Sequence, residues 1–204
     1  MASENGNNGN GNGNGKQNYT ISAFSENHIG LLNRITIIFT RRHINIESLT
    51  VSVSAIKGIH KFTIVVNDTR EKVEQVVSQI EKLVEVLKAF YHTDDEVIYQ
   101  EIALFKVPTK ALIEGDELEA TIRKHNARIL EVRPEYTVIE KTGHKEETQE
   151  LFRGLNKFGV LQFIRSGRIA ITRSPIEKLS EFLVERDALL EKIESRGQLR
   201  NSRK

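Results

Sequence analysis

The order of apolar and polar residues predicts a first unit of four strands and two helices. The stretch "YTISAFS" (19–25) alternates with the period of a strand. Leu31, Ile35, Ile38 and Phe39 then follow the i, i+4, i+7, i+8 spacing of a helix that lies on a sheet. The remaining elements are the strands "ESLTVSVS" (47–54), "HKFTIVV" (60–66) and "VEVLKAFY" (84–91), and a helix with an apolar stripe from Val73 to Leu83, which Asp68 is expected to cap. The order βαββαβ is that of a ferredoxin-like fold.

The same order recurs about 80 to 85 residues further along the chain. Its elements are a strand "IALFKV" (102–107), a helix "GDELEATIRKH" (115–125), a strand pair "ARILEVR" and "YTVIEK" broken at Pro134, a helix "KEETQELFRGLNKF" (145–158), and "VLQFIRSGRIAIT" (160–172), which is either a last strand or a hairpin turning at Ser166 and Gly167. We therefore predict an α+β chain of two tandem ferredoxin-like βαββαβ domains, the first at 18–96 and the second at 97–174.

The two ends of the chain differ from the repeated units. Residues 6–15, "GNNGNGNGNG", contain only Gly and Asn, which offer no apolar surface to offset the entropy of ordering, so residues 1–17 are predicted to be disordered. Beyond Pro175, apolar residues at Ile176, Leu179, Leu183, Leu190 and Ile193 predict a further helix, which ends in the basic tail "RGQLRNSRK". We treat 175–204 as a separate C-terminal segment.

Composition removes several classes of function. The 30 Lys and Arg residues nearly balance the 28 Asp and Glu residues, which argues against nucleic-acid binding through a general electrostatic field. The absence of cysteine excludes disulfides, thiolate zinc sites and a cysteine nucleophile. The chain starts without a basic and apolar leader pattern and has no apolar run of the ~18 residues that a membrane span needs. We expect a soluble, cytoplasmic protein.

Signatures of catalysis or metal binding are weak. The sequence has no P-loop, GxSxG or HExxH motif, and its six histidines never fall at i, i+4 on one helix face. The run Asp94-Asp95-Glu96 could hold a cation, but its polar setting favours a solvated loop. An RNA-binding ferredoxin-like domain would present a pair of stacking aromatics on its third strand, where this chain has Phe62 alone.

The junction between the first strand and the first helix is the strongest candidate for a binding site. A helix start presents unpaired N–H groups and a partial positive charge, which suit a carboxylate. Gly30 has no side chain to block a ligand there. Asn27 can cap the helix or bind the ligand through the same amide. The alternative is an ordinary strand-to-helix turn with an Asn cap and a glycine needed for packing.

A family resemblance decides between these interpretations. The stretch "ENHIGLLNRITIIFTRRHINIESLTV" (26–51) resembles the first ACT domain of the small, regulatory subunits of acetolactate synthase (acetohydroxyacid synthase), in which Asn-x-x-Gly-x-Leu opens the first helix and Asn-Ile-Glu-Ser-Leu-Thr-Val forms the next strand. The likeness continues through 84–93 and 100–107, and 127–143 is similar to the second domain of that family. It leaves out only the Gly/Asn head and the tail after Pro175.

The resemblance implies a chain without catalytic residues. ACT modules pair side by side in this family and hold a branched-chain amino acid, usually valine, in the crevice between them. By motif match the effector-binding residues are Asn27, His28, Ile29, Gly30, Leu31, Leu32, Asn45 and Ile46. Two departures from the family pattern are His28-Ile29 at the x-x pair and His43 where a glycine often follows the helix. A left-handed helix end kept at His43 would be strained.

The resemblance also implies the partners. We expect a homodimer through the ACT domains, because the second domain lacks the Asn-x-x-Gly element. The other partner is the large catalytic subunit, whose activity this chain raises and makes sensitive to valine. Thiamine diphosphate, Mg²⁺ and FAD are expected on that subunit, with no cofactor, metal, nucleic acid or membrane bound here. The alternative is an ACT-type, amino-acid-responsive regulator of another enzyme or of transcription, although neither end of the chain has room for a helix-turn-helix.

Overall fold

The first domain is a four-stranded antiparallel sheet with two helices on one face. The computed structural model describes residues 15–176 and 178–184. The elements are β1 (Gln17–Glu26), α1 (Leu31–Thr40), β2 (Ile46–Val53), β3 (Ile59–Asp68), α2 (Arg70–Ile80) and β4 (Val86–Thr93). The strand order is β2-β3-β1-β4. Tyr19, Ile21 and Ala23 of β1 are buried in one cluster with the apolar stripes of both helices.

The second domain repeats this plan. A 3-10 turn at Asp94–Glu96 leads into β5 (Val97–Pro108), followed by α3 (Lys110–Ile113), α4 (Glu117–Lys124), β6 (Arg128–Val132), β7 (Tyr136–Gly143), α5 (Lys145–Asn156), β8 (Gln162–Arg165) and β9 (Ile169–Thr172). The strand order is β6-β7-β5-β8, with β9 also paired to β5. A second core joins Ala103, Phe105 and Val107 of β5 to Leu118 of α4 and Leu151 of α5. The predicted α+β fold of two tandem βαββαβ units is confirmed.

The end of the second domain is one interrupted strand and not a hairpin. β8 pairs antiparallel with β5 from Ala103↔Arg165 to Lys106↔Gln162, and β9 pairs with the same strand from Val97↔Thr172 to Gln100↔Ile169. Since both pieces lie along one side of β5, residues 166–168 form a bulge between them. Of the two predicted forms, the hairpin turning at Ser166 and Gly167 is wrong.

Two predicted boundaries also change, and a third prediction falls partly outside the described residues. The disordered head predicted for residues 1–17 extends at least one residue too far, because β1 begins at Gln17. Residues 1–14 lie outside the described residues. Asp68 does not cap α2, because it is still the last residue of β3, paired with Gln17, and Thr69 holds the N-cap position. The carboxylate of Asp68 instead accepts a 2.9 Å hydrogen bond from the backbone N–H of Thr69. Of the predicted C-terminal helix, residues 178–184 are helical, with Leu179 buried, and 185–204 lie outside the described residues.

The end of α1 confirms the predicted left-handed residue. His43 has φ 53°, and the backbone N–H of Ile44 donates to the carbonyl of Phe39 at 3.1 Å, the bond that usually accompanies a glycine at this position. Histidine here carries the steric cost that glycine avoids.

We expect His43→Gly to raise the free energy of unfolding by roughly 0.5 to 1 kcal/mol, since the relief of the left-handed strain is partly offset by the greater freedom of glycine in the unfolded chain. Urea unfolding would measure it. Asn126→Gly is the matched control: Asn126 has φ 49°, and asparagine tolerates this region better, so its gain should be smaller. An equal gain at both positions, or a loss at His43, would contradict the strain assignment.

His92 provides a pH-dependent contribution to stability. It lies on β4, is buried, and lines a cavity of about 320 Å³ between the first sheet and residues 171–175, 178 and 179. Burial, and then the charges of Lys178 and Lys61, lower the pKa of His92. The folded chain therefore resists protonation there more than the unfolded chain does, and stability falls as the pH drops below the unfolded value of about 6.5.

We expect the urea midpoint of the wild-type chain to fall more between pH 7 and pH 5 than that of His92→Gln, which has no proton to take up. His28→Gln, at an exposed histidine, should follow the wild-type curve. Parallel curves for the wild type and His92→Gln would show that this histidine does not carry the effect.

Candidate functional site

The loop between β1 and α1 is shaped by Gly30. This residue is the N-cap of α1 with φ 83° and ψ −5°, a left-handed conformation that L side chains rarely adopt. A Cβ added to it would meet no atom within 4 Å, so the glycine is required by its backbone angle and not by close packing. The space over this helix start is open, as the predicted approach of a ligand requires.

Asn27 does not cap α1. Within residues 15–176 and 178–184, no side-chain hydrogen bond caps the helix start, and Gly30 holds the N-cap position, three residues beyond Asn27. The capping role predicted for Asn27 is therefore wrong, because the loop places it outside the first turn. Its side chain is exposed, and the ligand-binding role stays a prediction.

Backbone N–H groups at this helix start precede the helical hydrogen-bond pattern. The first i to i−4 bond runs from the N–H of Arg34 to the carbonyl of Gly30 at 3.2 Å. The amides of Leu32 and Asn33 come before it, and the amide of Leu31 donates across the loop to His28 at 3.3 Å. α1 has ten residues, so its partial positive charge adds to these donors. The arrangement suits a carboxylate.

Apolar side chains surround the same loop. Ile29 is fully exposed and Leu32 is 45% exposed, whereas Leu31 is 2% exposed and belongs to the first core. Packing under α1 turns the side chain of Leu31 away from the surface, and the place of Leu31 in the predicted effector site stays a prediction. Leu32 remains in the predicted set, and with Ile29 it offers an apolar contact for a ligand side chain.

Charged residues at the base of the loop are paired with one another. Arg34 forms an ion pair with Glu85, and this guanidinium lowers the pKa of the Glu85 carboxyl. His28 Nε2 lies 3.4 Å from Glu26 Oε2, with both side chains more than half exposed. The carboxylate of Glu85 therefore has a cationic neighbour.

The second half of the predicted site lies at the start of β2. Asn45 is exposed, and its Nδ2 donates to Glu47 Oε1 at 2.8 Å. Ile46 is partly buried against the first core. Asn45 also borders a polar cavity of about 740 Å³ between the two domains, which Glu101, Arg165 and Arg168 line from the other side.

The strand register puts the two halves at opposite ends of the sheet. Ile46 pairs with Val66, which pairs with Tyr19 near the start of β1. Val53, the last residue of β2, pairs with His60, which pairs with Ser25 near the end of β1. The strand rises by about 20 Å from Tyr19 to Ser25 at ~3.3 Å per residue. Asn27 and Asn45 lie beyond these two ends, so they are farther apart than that along the strands. One copy of the chain does not bring them together.

β2 is an edge strand. Among the described residues it pairs with β3 on one side, and its other side carries unpaired backbone groups. On this strand, Val51 is 42% exposed and Val53 is 70% exposed. Val53 lies at the same end of the sheet as the β1–α1 loop. α2 packs on β1 and β4, which leaves α1 over the β2 side of the sheet. We call Ile29, Leu32, Val51 and Val53 the edge patch.

Sequence reasoning missed the contacts of Arg168. The Nη1 atom of this buried residue donates to Thr20 Oγ1 at 2.9 Å and to Asp94 Oδ1 at 2.6 Å. Its backbone N–H donates to Ser48 Oγ at 3.0 Å. No local signal marks this arginine, since its partners lie far away in the sequence.

The described part of the chain has neither a metal-binding cluster nor a membrane-spanning helix. Residues 15–176 and 178–184 contain no group of three His, Asp or Glu side chains arranged to hold a metal ion. Over the same residues, no helix has the length and apolar character needed to cross a bilayer.

Comparisons with known proteins agree with this architecture. The model of the "AHAS small subunit-like ACT domain" matches residues 21–88, and that of the "Small subunit of acetolactate synthase" matches residues 100–174. The putative acetolactate synthase small subunit of Mycobacterium tuberculosis is 33% identical over 157 residues, covering 77% of this chain and 93% of its own. The acetolactate synthase small subunit of Bacillus subtilis is 34% identical over 155 residues, 76% of this chain and 90% of its own.

A solved structure shows the same fold. The acetolactate synthase small subunit from Thermotoga maritima aligns with a TM-score of 0.71 and 26% identity over 78% of this chain and 99% of its own. The tandem βαββαβ units, with a glycine-shaped loop and an exposed edge strand in the first, define an ACT-type protein. The chain belongs to the family of acetolactate synthase small subunits. The resemblance found in the sequence is confirmed.

Proposed function

We propose that this chain regulates the catalytic subunit of acetolactate synthase in branched-chain amino acid biosynthesis. It raises the activity of that subunit and confers feedback inhibition by valine, or by another branched-chain amino acid, bound between two copies of the chain. The reaction takes place on the catalytic subunit, with thiamine diphosphate, Mg²⁺ and FAD bound there. This chain supplies the effector site and the contacts that pass the signal on.

The observation that carries this proposal is the separation of the two halves of the site. Asn27 and Asn45 lie at opposite ends of a sheet whose edge strand, β2, has an unpaired side. If two β2 strands pair antiparallel about a two-fold axis, the start of one lies beside the end of the other. Asn45 of one protomer then approaches the β1–α1 loop of its partner, and the dimer has two equivalent sites.

The chemistry of this combined site fits an apolar amino acid. The amides of Leu32 and Asn33 and the start of α1 favour the carboxylate. The amide groups of Asn27 and Asn45 supply both donors and acceptors for the charged ends of a zwitterion. The edge patch offers Ile29 and Leu32 to a branched side chain. The pairing of edge strands also removes the exposed ladder and covers Val51 and Val53.

Calorimetry with valine, leucine and isoleucine, together with inhibition of the reconstituted synthase, tests the proposal. We expect at least one of the three amino acids to bind with two sites per dimer and to inhibit the synthase only when this chain is present. The chain should raise the activity of the catalytic subunit when no amino acid is added. Absence of binding by all three, or inhibition that does not require this chain, would overturn the proposal.

A further inference from the structure

The bulge between β8 and β9 crosses from the second domain to the first. β8 and β9 both pair with β5, and residues 166–168 interrupt them. Ser166 holds the bulge on β5, because its N–H donates to the carbonyl of Ile102 at 2.8 Å and its Oγ accepts from the N–H of Ile102 at 2.9 Å. A β-bulge bends the strand that carries it. Here the bend brings Gly167 and Arg168 against the sheet of the first domain.

Gly167 lies directly against β2. A Cβ at this position would overlap the hydroxyl oxygen of Thr50 and would lie 3.0 Å from Ser48 Oγ and 3.2 Å from the carbonyl of Leu49. The next residue, Arg168, donates its N–H to Ser48 Oγ at 3.0 Å. Because only a glycine fits this approach, the bulge is in direct contact with the middle of β2, and a movement of β2 must either displace the bulge or break the contact.

The side chain of Arg168 extends the same contact to three other parts of the chain. It is 5% exposed, donates to Thr20 on β1 and to Asp94 in the turn between the domains, and lies 3.5 Å from the ring centre of Tyr99 on β5. A guanidinium over an aromatic face is a favourable arrangement, and a planar group is needed to stack in this way. Tyr99 in turn stacks on His144, the N-cap of α5, with ring centres 4.3 Å apart.

We infer that the bulge at residues 166–168, with Arg168 at its centre, couples the effector site to the second domain. The inference rests on the proposed function, in which an amino acid binds against the start of β2. A ligand that draws β2 toward the partner protomer moves Ser48 and Thr50. The bulge follows because the backbone N–H of Arg168 is hydrogen-bonded to Ser48 and Gly167 lies against Thr50. Arg168 carries the shift to Asp94, Tyr99 and α5, so the second domain has a different position in the liganded dimer. Arg168 is thus a positioning residue and does not contact the effector.

Separate measurements of binding and inhibition test the role of Arg168. We expect Arg168→Gln to remain a dimer and to bind valine within twofold of the wild-type affinity, while the maximal inhibition of the reconstituted synthase falls to less than half. Arg168→Lys, which keeps the charge and loses the planar stack, should be intermediate. Arg173→Gln removes an exposed arginine from the same segment and should behave as the wild type. Unchanged inhibition in Arg168→Gln, or binding and inhibition lost together, would overturn the inference.

A second pair of variants tests the contact with β2 without touching Arg168. Gly167→Ala should reduce maximal inhibition because its Cβ displaces the bulge from Thr50, and Gly167→Ala combined with Thr50→Ala should restore at least half of the loss. Failure of the double variant to recover would overturn the coupling through β2. A wild-type chain that binds none of the three amino acids would instead overturn the proposed function itself, so the two failures are distinguishable.

Discussion

Gly30→Asp should abolish inhibition of the reconstituted synthase by valine. The substitution puts a side chain at φ 83°, which costs about 1 to 2 kcal/mol, and places a carboxylate where the effector's own carboxylate is expected to bind. The strain affects the free and the liganded chain alike, whereas a lost hydrogen bond to a charged ligand weakens binding itself by roughly 1.5 to 3 kcal/mol. We expect valine to bind at least 100-fold more weakly, about 2.7 kcal/mol, as measured by calorimetry and by a valine titration of activity. Activation without valine should remain.

Gly159→Asp is the matched control. Gly159 has φ 77° and also has open space around its Cα, but it lies in the second domain, just after α5. It carries the same backbone strain and the same added charge away from the predicted site. Asn27→Ala and Asn45→Ala should each reproduce the loss of sensitivity without the strain. Full valine inhibition in Gly30→Asp and in both asparagine variants would mean that the effector binds elsewhere.

Val51→Asp should convert the dimer to monomer. Val51 is 42% exposed on the edge strand, and each two-fold interface would receive two copies of the new carboxylate. An unpaired charge buried at an interface costs several kcal/mol, so we expect the dimer dissociation constant to rise at least 100-fold, about 2.7 kcal/mol. Sedimentation over a range of concentrations measures it. Valine binding should be lost at the same time, because each proposed site needs residues from both protomers.

The control for the dimer is Val84→Asp. Val84 is 95% exposed in the turn between α2 and β4, at the edge of the sheet opposite to β2. It should leave both the dissociation constant and valine binding unchanged. A Val51→Asp chain that remains a dimer at low micromolar concentration would show that β2 does not form the interface.

Local sequence patterns predicted the fold well because the apolar residues that face the core repeat with the period of each helix or strand. The stripe from Leu31 to Phe39 is the buried face of α1. The alternation in 19–25 falls within β1, and its apolar residues 19, 21 and 23 join the first core. Patterns of this kind say little about where one element gives way to the next. Asp68 has the chemistry of a helix cap but remains in the ladder of β3, and Thr69 takes the cap position.

The end of the second domain shows a different limit. The pair Ser166-Gly167 has the composition of a tight turn, and only the pairing of β8 and β9 with the same side of β5 distinguishes a bulge from a hairpin. These two pairings join residues that are more than fifty positions apart in the sequence. The glycine is there because β2 lies against it, which no pattern near residue 167 could reveal.

The candidate site was predictable only in part, because local patterns place single residues but not long-range contacts. Gly30 could be placed from its position at the start of an apolar stripe, and its left-handed φ agrees with that position. Which of Leu31 and Leu32 faces outward depends on the exact start of the helix, and this is the least certain feature of a sequence-based assignment. Arg168 could not be found at all, because its bond to Thr20 joins residues 148 positions apart.

The most direct test of the two-chain site is a mixed dimer of one Asn27→Ala chain and one Asn45→Ala chain, purified with two different tags. If each site takes Asn27 from one protomer and Asn45 from its partner, the mixed dimer has one site with both defects and one intact site. Calorimetry should then show one valine per mixed dimer with wild-type affinity, although neither parent homodimer binds valine tightly. If the mixed dimer binds valine no better than its parents, the site does not combine residues from two chains and the account is contradicted.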